Sequence, residues 1–204
     1  MLLEAKNLSF RYGRGGPWIL RDISLRVGAG ERVALLGPSG CGKSTLAAIL
    51  AGYHYPTAGE ALWDGKPLPR KGFCPVQMIH QHPELAVNPR HKMRQILGEC
   101  WTPDPETVAA MGIGEDWLAR WPRELSGGEL QRFCVARVLG PRTRFLICDE
   151  ISAMLDAITQ AQIWAFVLRA ADKNGLGLLV VTHNPTLAGR VCERIISLPE
   201  LNRV

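Results

Sequence analysis

The chain has 204 residues, 47% of them hydrophobic and 21% charged, and a formal net charge of +5. That length holds one ordinary domain with a real core, or one domain with an inserted subdomain, and the composition argues against disorder. The mild positive charge suits a phosphate-bearing ligand or a surface near a membrane, and the lack of a Lys/Arg run or of a basic stripe alternating with aromatics argues against nucleic acid as a partner.

Residues 2–10 alternate imperfectly, as an antiparallel strand does, and residues 11–17, with Gly13, Gly15 and Gly16, read as a hairpin loop. Residues 23–27 alternate cleanly before the turn Gly28-Ala29-Gly30. Residues 32–36 (Arg-Val-Ala-Leu-Leu) form an apolar stretch that reads as a buried strand, and residues 46–51 after the glycine loop read as helix. A turn over 53–59, a short β piece over 60–63 closed by Asp64-Gly65, and a strand over 73–80 follow. Near residue 82 the composition changes. Residues 83–124 are rich in Pro, Arg and Trp, with helical patches at 92–100, 105–111 and 115–120, and read as a small helical insert. An amphipathic helix over 128–139 stops at Gly140-Pro141. The apolar run 145–148 ends in Asp149-Glu150, and then come helix 157–172, a buried strand over 176–181, helix 185–191 and strand 194–198. Strands that alternate with helices and lack polar alternation argue an α/β fold with a mostly parallel central sheet. The domain expectation is a single unit over 1–204. Its core is made of about 1–82 and 128–204, with an antiparallel β part at the N-terminal end, and its helical insert spans about 83–127.

The loop between the third strand and its helix reads Gly37, Pro38, Ser39, Gly40, Cys41, Gly42, Lys43, Ser44, Thr45. Gly37, Gly42, Lys43 and Ser44 stand at the offsets of a P-loop, in the strand–loop–helix context that the motif requires. Glycines let successive backbone N–H groups turn inward as an anion nest, and the helix N-terminus adds its positive dipole end. Lys43 then reaches the β/γ-phosphates and the Ser44 hydroxyl can ligate Mg²⁺. Asp149, at the end of a buried run, stands where a second Mg²⁺ contact sits in such a fold, and Glu150 can polarise an attacking water. Without the P-loop, the same acidic pair would read as a helix cap. Ser126, Gly127 and Gly128 open the helix 128–139, either as a second phosphate site or simply as a capped helix start.

Further motifs complete a set in a fixed order: Gln81, Leu125-Ser126-Gly127-Gly128-Glu129, Leu155-Asp156, and His183 within Val180-Val181-Thr182-His183-Asn184. Over nearly the whole chain they resemble the Walker A, Q-loop, signature, Walker B, D-loop and switch motifs of the ATP-binding subunits of ABC transporters. Ala86-Val87-Asn88-Pro89-Arg90 and Gln160-Ala161-Gln162-Ile163 look like the peptide/nickel importer branch, and within it the nickel-importer ATPases.

The resemblance implies an ATPase that uses ATP and Mg²⁺. It places residues 37–45 on the phosphates and Tyr12 on the adenine, where the alternative is an ordinary surface tyrosine. It places Ser44, Gln81 and Asp149 on the metal, and Glu150, His183, Gln81 and Lys43 in catalysis. It also implies that Ser126, Gly127, Gly128, Glu129 and Asp156 act across a dimer with a second ABC ATPase subunit. The further implied partners are integral membrane permease subunits and a solute-binding protein, with the chain peripheral on the cytoplasmic face of the inner membrane and no nucleic acid involved. No stretch approaches about 20 apolar residues, the start shows no signal peptide, and six unpaired-looking cysteines without CxxC spacing fit a reducing compartment.

Three departures from the family pattern stand out. Ile151 replaces the usual proline, Ser152-Ala153-Met154 replaces the usual Thr-Ser-Ala, and residues 82–125 make a short insert. The C-terminal extension common in that branch is not expected after the last strand. His80, His82 and His91 tempt a metal site, but no third close ligand is defined, and ordinary structural histidines are the preferred reading. Two other functions compete: a soluble ABC ATPase acting on DNA or ribosomes, and a weakly catalytic regulatory subunit. The absence of heptads between Lys43 and Ser126 and of a second cassette argues against the first. Retention of Lys43, Glu150 and His183 argues against the second.

Overall fold

The structure is a computed structural model that describes all 204 residues. Two sheets organise it. The parallel sheet has the order β6-β7-β8-β3-β9, built from β3 (Arg32–Leu36), β6 (Val76–Ile79), β7 (Phe145–Asp149), β8 (Gly177–Thr182) and β9 (Arg194–Ser197). The antiparallel sheet has the order β2-β1-β4-β5, from β1 (Leu2–Phe10), β2 (Leu20–Gly28), β4 (Ala58–Trp63) and the two-residue β5 (Lys66–Pro67).

The continuous apolar runs of β7 and β8 follow from burial on both faces. Leu146, Cys148, Leu178 and Val180 point into one core, whereas Phe145, Ile147, Leu179 and Val181 point into the other. The second core is closed by the antiparallel sheet and by α1 (Lys43–Leu50), through Leu3, Leu8, Ile23, Leu46 and Ile49. The first is closed by α4 (Gly127–Val138), α5 (Ala157–Asn174) and the insert, whose Val87, Met93, Ile96, Met111 and Ile113 join it. Gly177 lies where a Cβ would meet the Phe145 ring at 2.4 Å, so β8 starts on a residue without a side chain.

The insert holds less regular helix than its sequence suggests. α2 covers Met93–Leu97 and stops at Gly98, α3 covers Pro105–Ala110, and 115–119 is a 3₁₀ turn, as are 83–85 and 122–124. The strand expected over 73–80 shrinks to Val76–Ile79, starting just after Pro75, whose ring removes a ladder donor. Helix α6 (Pro185–Val191) lies as expected. The strand expected over 194–198 is present as β9, and after it comes a short helix, α7 (Leu198–Leu201), that the sequence reading did not include. Pro199 starts it, and Asn202 ties it to the first residues of β2 by accepting from Arg21 N at 2.8 Å and donating to Ile19 O at 2.9 Å.

Candidate functional site

The glycine loop 37–42 runs from the end of β3 to α1. Gly40 and Gly42 have φ of 80° and 102°, which other residues adopt only under strain. A Cβ at Gly37 would stand 2.7 Å from Cys41 Sγ and 3.2 Å from Pro199 Cδ, so the turn has no room for a side chain there. Gly42 caps α1 without a side-chain bond, and the N–H groups of Gly40, Gly42, Lys43, Ser44 and Thr45 have no acceptor in the protein. Five amides at one helix start, free and adjacent, form the concave donor set that a phosphate chain needs. Lys43 is 6% exposed, and its ammonium lies under the arch, donating to Gly37 O at 2.8 Å and Pro38 O at 2.9 Å.

Strand order brings the acidic residues here. β8 sits between β3 and β7, so the loop after β3 and the ends of β7 and β8 open on the same edge of the sheet. Ser44 Oγ donates to Asp149 Oδ1 at 3.1 Å. Asp149 is 5% exposed. Burial pushes its carboxyl above the ordinary aspartate value and the neighbouring Glu150 carboxylate adds to this, while the bond from Ser44 and the charge of Lys43 pull the other way. The next residue, Glu150, leaves the strand with φ of 50° while its N–H still donates to Val181 O. Its carboxylate meets His183 Nδ1 at 2.8 Å, with the imidazole mostly exposed and the carboxylate mostly buried. Asn184 holds the turn after His183, because its side chain accepts from Thr186 N and Leu187 N and caps α6.

Lys43, Ser44, Asp149, Glu150 and His183 therefore form one cluster. Gln81 stands just past β6, half-buried and without a hydrogen bond. Tyr12 is exposed, its ring perpendicular to those of Phe10 and His54 at centroid distances of 4.9 and 6.0 Å.

The residues 126–129 are arranged differently. Ser126 caps α4, its hydroxyl accepting from Glu129 N, and the Glu129 carboxylate accepts from Ser126 N at 2.7 Å. Glu129 is thus engaged in the capping box. Gly128 faces Thr159 and Leu155 rather than the glycine loop, and no hydrogen bond or ion pair joins 126–129 to the Lys43–Glu150 cluster. Asp156 caps α5, accepting from Ile158 N and Thr159 N; the bonds from Thr159 hold its carboxyl below the usual aspartate value.

Two arrangements escaped the sequence reading. Ser152, 4% exposed, accepts from Gln160 Nε2 at 2.9 Å and from Trp164 Nε1 at 3.0 Å, which pins the turn after Glu150 to α5. Gln131 of α4 is buried and donates to His80 O, next to Gln81. Ile151 is 3% exposed and packs into the first core. His80, His82 and His91 have separate neighbours: the Tyr53 ring, Glu84, and Asn88 with Glu99. No helix is long and apolar enough to cross a membrane.

The sequence profile of the ABC transporter family matches residues 20–153. The nickel import ATP-binding protein NikE of Escherichia coli K12 is 36% identical over 221 residues, spanning 96% of this chain and 82% of that protein, and NikE of Shigella dysenteriae serotype 1 matches to the same extent. Among solved structures, the dimeric bacterial ABC transporter cassette MJ0796 superposes with a TM-score of 0.80 at 24% identity, covering 96% of this chain and 93% of that one. The cbiO1 protein of Clostridium perfringens, described as part of the ABC transporter complex cbiONQ, gives 0.76 at 24% identity, covering 96% and 83%. With a P-loop, a paired acidic strand end and this fold, the chain belongs to the ABC transporter family and is an ATP-binding subunit of it, an ATPase.

Proposed function

We propose that the chain energises import of nickel, another metal chelate or a peptide through a partner permease, by hydrolysing ATP held between two ATPase subunits. One observation carries the two-subunit part of this reading. The cluster around Lys43 holds its own amide donors and acidic groups, while no hydrogen bond or ion pair joins it to Ser126–Gly128, which have helix N–H groups of their own. Two such chains placed head to tail give each nucleotide both helix N-termini, and so two positive dipole ends on one polyanion. NikE supports nickel as the substrate.

In this reading the free amides of residues 40–45 cradle the phosphates, and Lys43 turns its ammonium from the Gly37 and Pro38 carbonyls to the γ-phosphate. Tyr12 stacks on the adenine. Mg²⁺ fits Ser44 and Asp149, two hard oxygen donors in contact, one of them a buried carboxyl that a cation would relieve. Gln81 is the third donor, from the loop after β6. When bound there, the ion would neutralise charge on the phosphates. Glu150 orients the attacking water and accepts its proton, with the carboxylate aimed by His183. His183 also contacts the γ-phosphate. Ser126, Gly127 and Gly128 of the second subunit close over the nucleotide, Glu129 holds that helix start in shape, and Asp156 lies at the turn between the two sites. Acceleration comes from charge stabilisation and positioning rather than from a covalent intermediate.

We also assign residues 1–204 to one ATP-binding domain, with 1–82 and 128–204 as core and 83–127 as helical insert. The insert would receive a helix of the permease beside the Gln81 loop, with a solute-binding protein delivering substrate and the chain peripheral at the cytoplasmic face of the membrane. The test is uptake of radioactive nickel in cells carrying the chain with its neighbouring genes, in wild-type form and as Lys43→Ala. Uptake that depends on Lys43 supports the reading; equal uptake in both, or recovery of the tagged chain without any integral membrane protein, overturns it.

A further inference from the structure

Helix α4, capped by Ser126, runs beside the segment that follows Gln81. Three of its side chains, three residues apart, donate to three backbone carbonyls, also three residues apart. Gln131 Nε2 donates to His80 O at 3.3 Å, Cys134 Sγ to Pro83 O at 3.9 Å, and Arg137 Nη2 to Ala86 O at 2.6 Å. The match of period has a local cause. Residues 83–85 form a 3₁₀ turn, which repeats every three residues, and every third residue of α4 stays near one face. The side-chain bonds run directly to main chain, so they constrain where the segment lies and not only how its side chains pack.

The seam also carries spare capacity. Gln131 is 1% exposed, yet its Oε1 has no partner, and Arg137 Nε is likewise buried and unpaired. Nearly all buried polar atoms in folded proteins are satisfied, so two idle atoms on one seam require an account. A seam whose two sides shift with nucleotide needs partners for more than one position.

We propose that Gln131 is a positioning residue that ties the Gln81 loop to the start of α4, so that Gln81 at one nucleotide and Ser126 at the other move together. The inference rests on the two-subunit reading above. His80 is adjacent to Gln81, and Gln131 lies on the second turn after Ser126, so one buried hydrogen bond spans the distance between the two motifs. Bonding through the His80 carbonyl fixes the direction in which Gln81 leaves β6. If that bond is lost, each motif keeps its local shape but their relative placement is no longer set.

The test uses the full chain in three forms: wild type, Gln131→Met and Gln131→Glu, both close to glutamine in size. Each is measured for fluorescent ATP-analogue binding, for KM and kcat of Mg²⁺-ATP hydrolysis per folded binding site, and for cooperativity in ATP. The expected result is analogue affinity and KM within about twofold of wild type, kcat lowered about tenfold and cooperativity reduced, as for a coupling contact of ordinary strength. A packing role alone lowers thermal stability but leaves kcat per folded site and cooperativity unchanged, and that result in either variant that folds overturns the inference. A wild-type chain without any ATP hydrolysis overturns the two-subunit reading and this inference with it; full-rate variants beside an active wild type overturn this inference alone.

Discussion

His183 Nδ1 and Glu150 Oε1 stand 2.8 Å apart although 33 residues separate them in the chain. The pairing is a consequence of register. Asp149 of β7 lies opposite Val181 of β8 in a parallel ladder, so the residues just beyond the two strand ends emerge side by side. Glu150 turns out of β7 with a left-handed φ, an uncommon conformation for glutamate and of the kind that proteins hold at functional positions. In the proposed function this carboxylate, held by the imidazole, is the group that takes a proton from water.

Replacing Glu150 with Gln keeps the side-chain shape and removes the base. ATP binding is expected to persist while turnover falls about a hundredfold or more. A closed dimer should then accumulate with ATP, seen by size-exclusion chromatography. Near-normal hydrolysis by this variant contradicts the role given to Glu150.

Lys43→Ala removes the ammonium under the loop arch. The loss of charge-assisted bonds to phosphate is worth about 2 kcal/mol, roughly thirtyfold in affinity. Calorimetric titration with ATP reads this directly, and unchanged affinity is the result that counts against the phosphate cradle.

Ser152→Ala leaves Gln160 and the buried Trp164 Nε1 without their shared acceptor. Stability should fall by about 2 kcal/mol, the cost of an unpaired buried donor. Urea denaturation measures it. A stability equal to wild type would mean that the turn after Glu150 is not held to α5 by this bond.

Glu31 offers a pH dependence outside the site. Burial pushes its carboxyl up, but bonds from Arg194 and from Gly28 N, with the Arg194 charge, outweigh it, and the folded value lies below the ordinary one. A depressed carboxyl contributes stability above its unfolded pKa of about 4.3, and the contribution is lost as pH falls through the lower folded value. Glu31→Gln should therefore lower the melting temperature at pH 7 and narrow its gap to wild type as the solution is acidified below about pH 4. Melting curves across that range decide it: a gap that stays constant with pH removes Glu31 from the acid response.

Local rules carry far in this chain. The glycine loop, the apolar runs of β7 and β8, the α6 boundaries at Pro185–Val191 and the cap residue Ser126 are all properties of neighbours in sequence, where steric freedom, periodicity and capping act. Tertiary packing decided the rest. It shortened the strand before Gln81, turned the insert largely into short helices and 3₁₀ turns, and added the short helix α7 after β9, where Asn202 bonds to Ile19 and Arg21. The sequence motifs name Lys43, Asp149, Glu150 and His183, but only the placement of β8 between β3 and β7 brings them to one sheet edge. Ser152 and Gln131 were invisible for the same reason. Their weight lies in partners such as Trp164 Nε1 and the His80 carbonyl, and a hydrogen bond across the fold leaves no periodic trace in the chain.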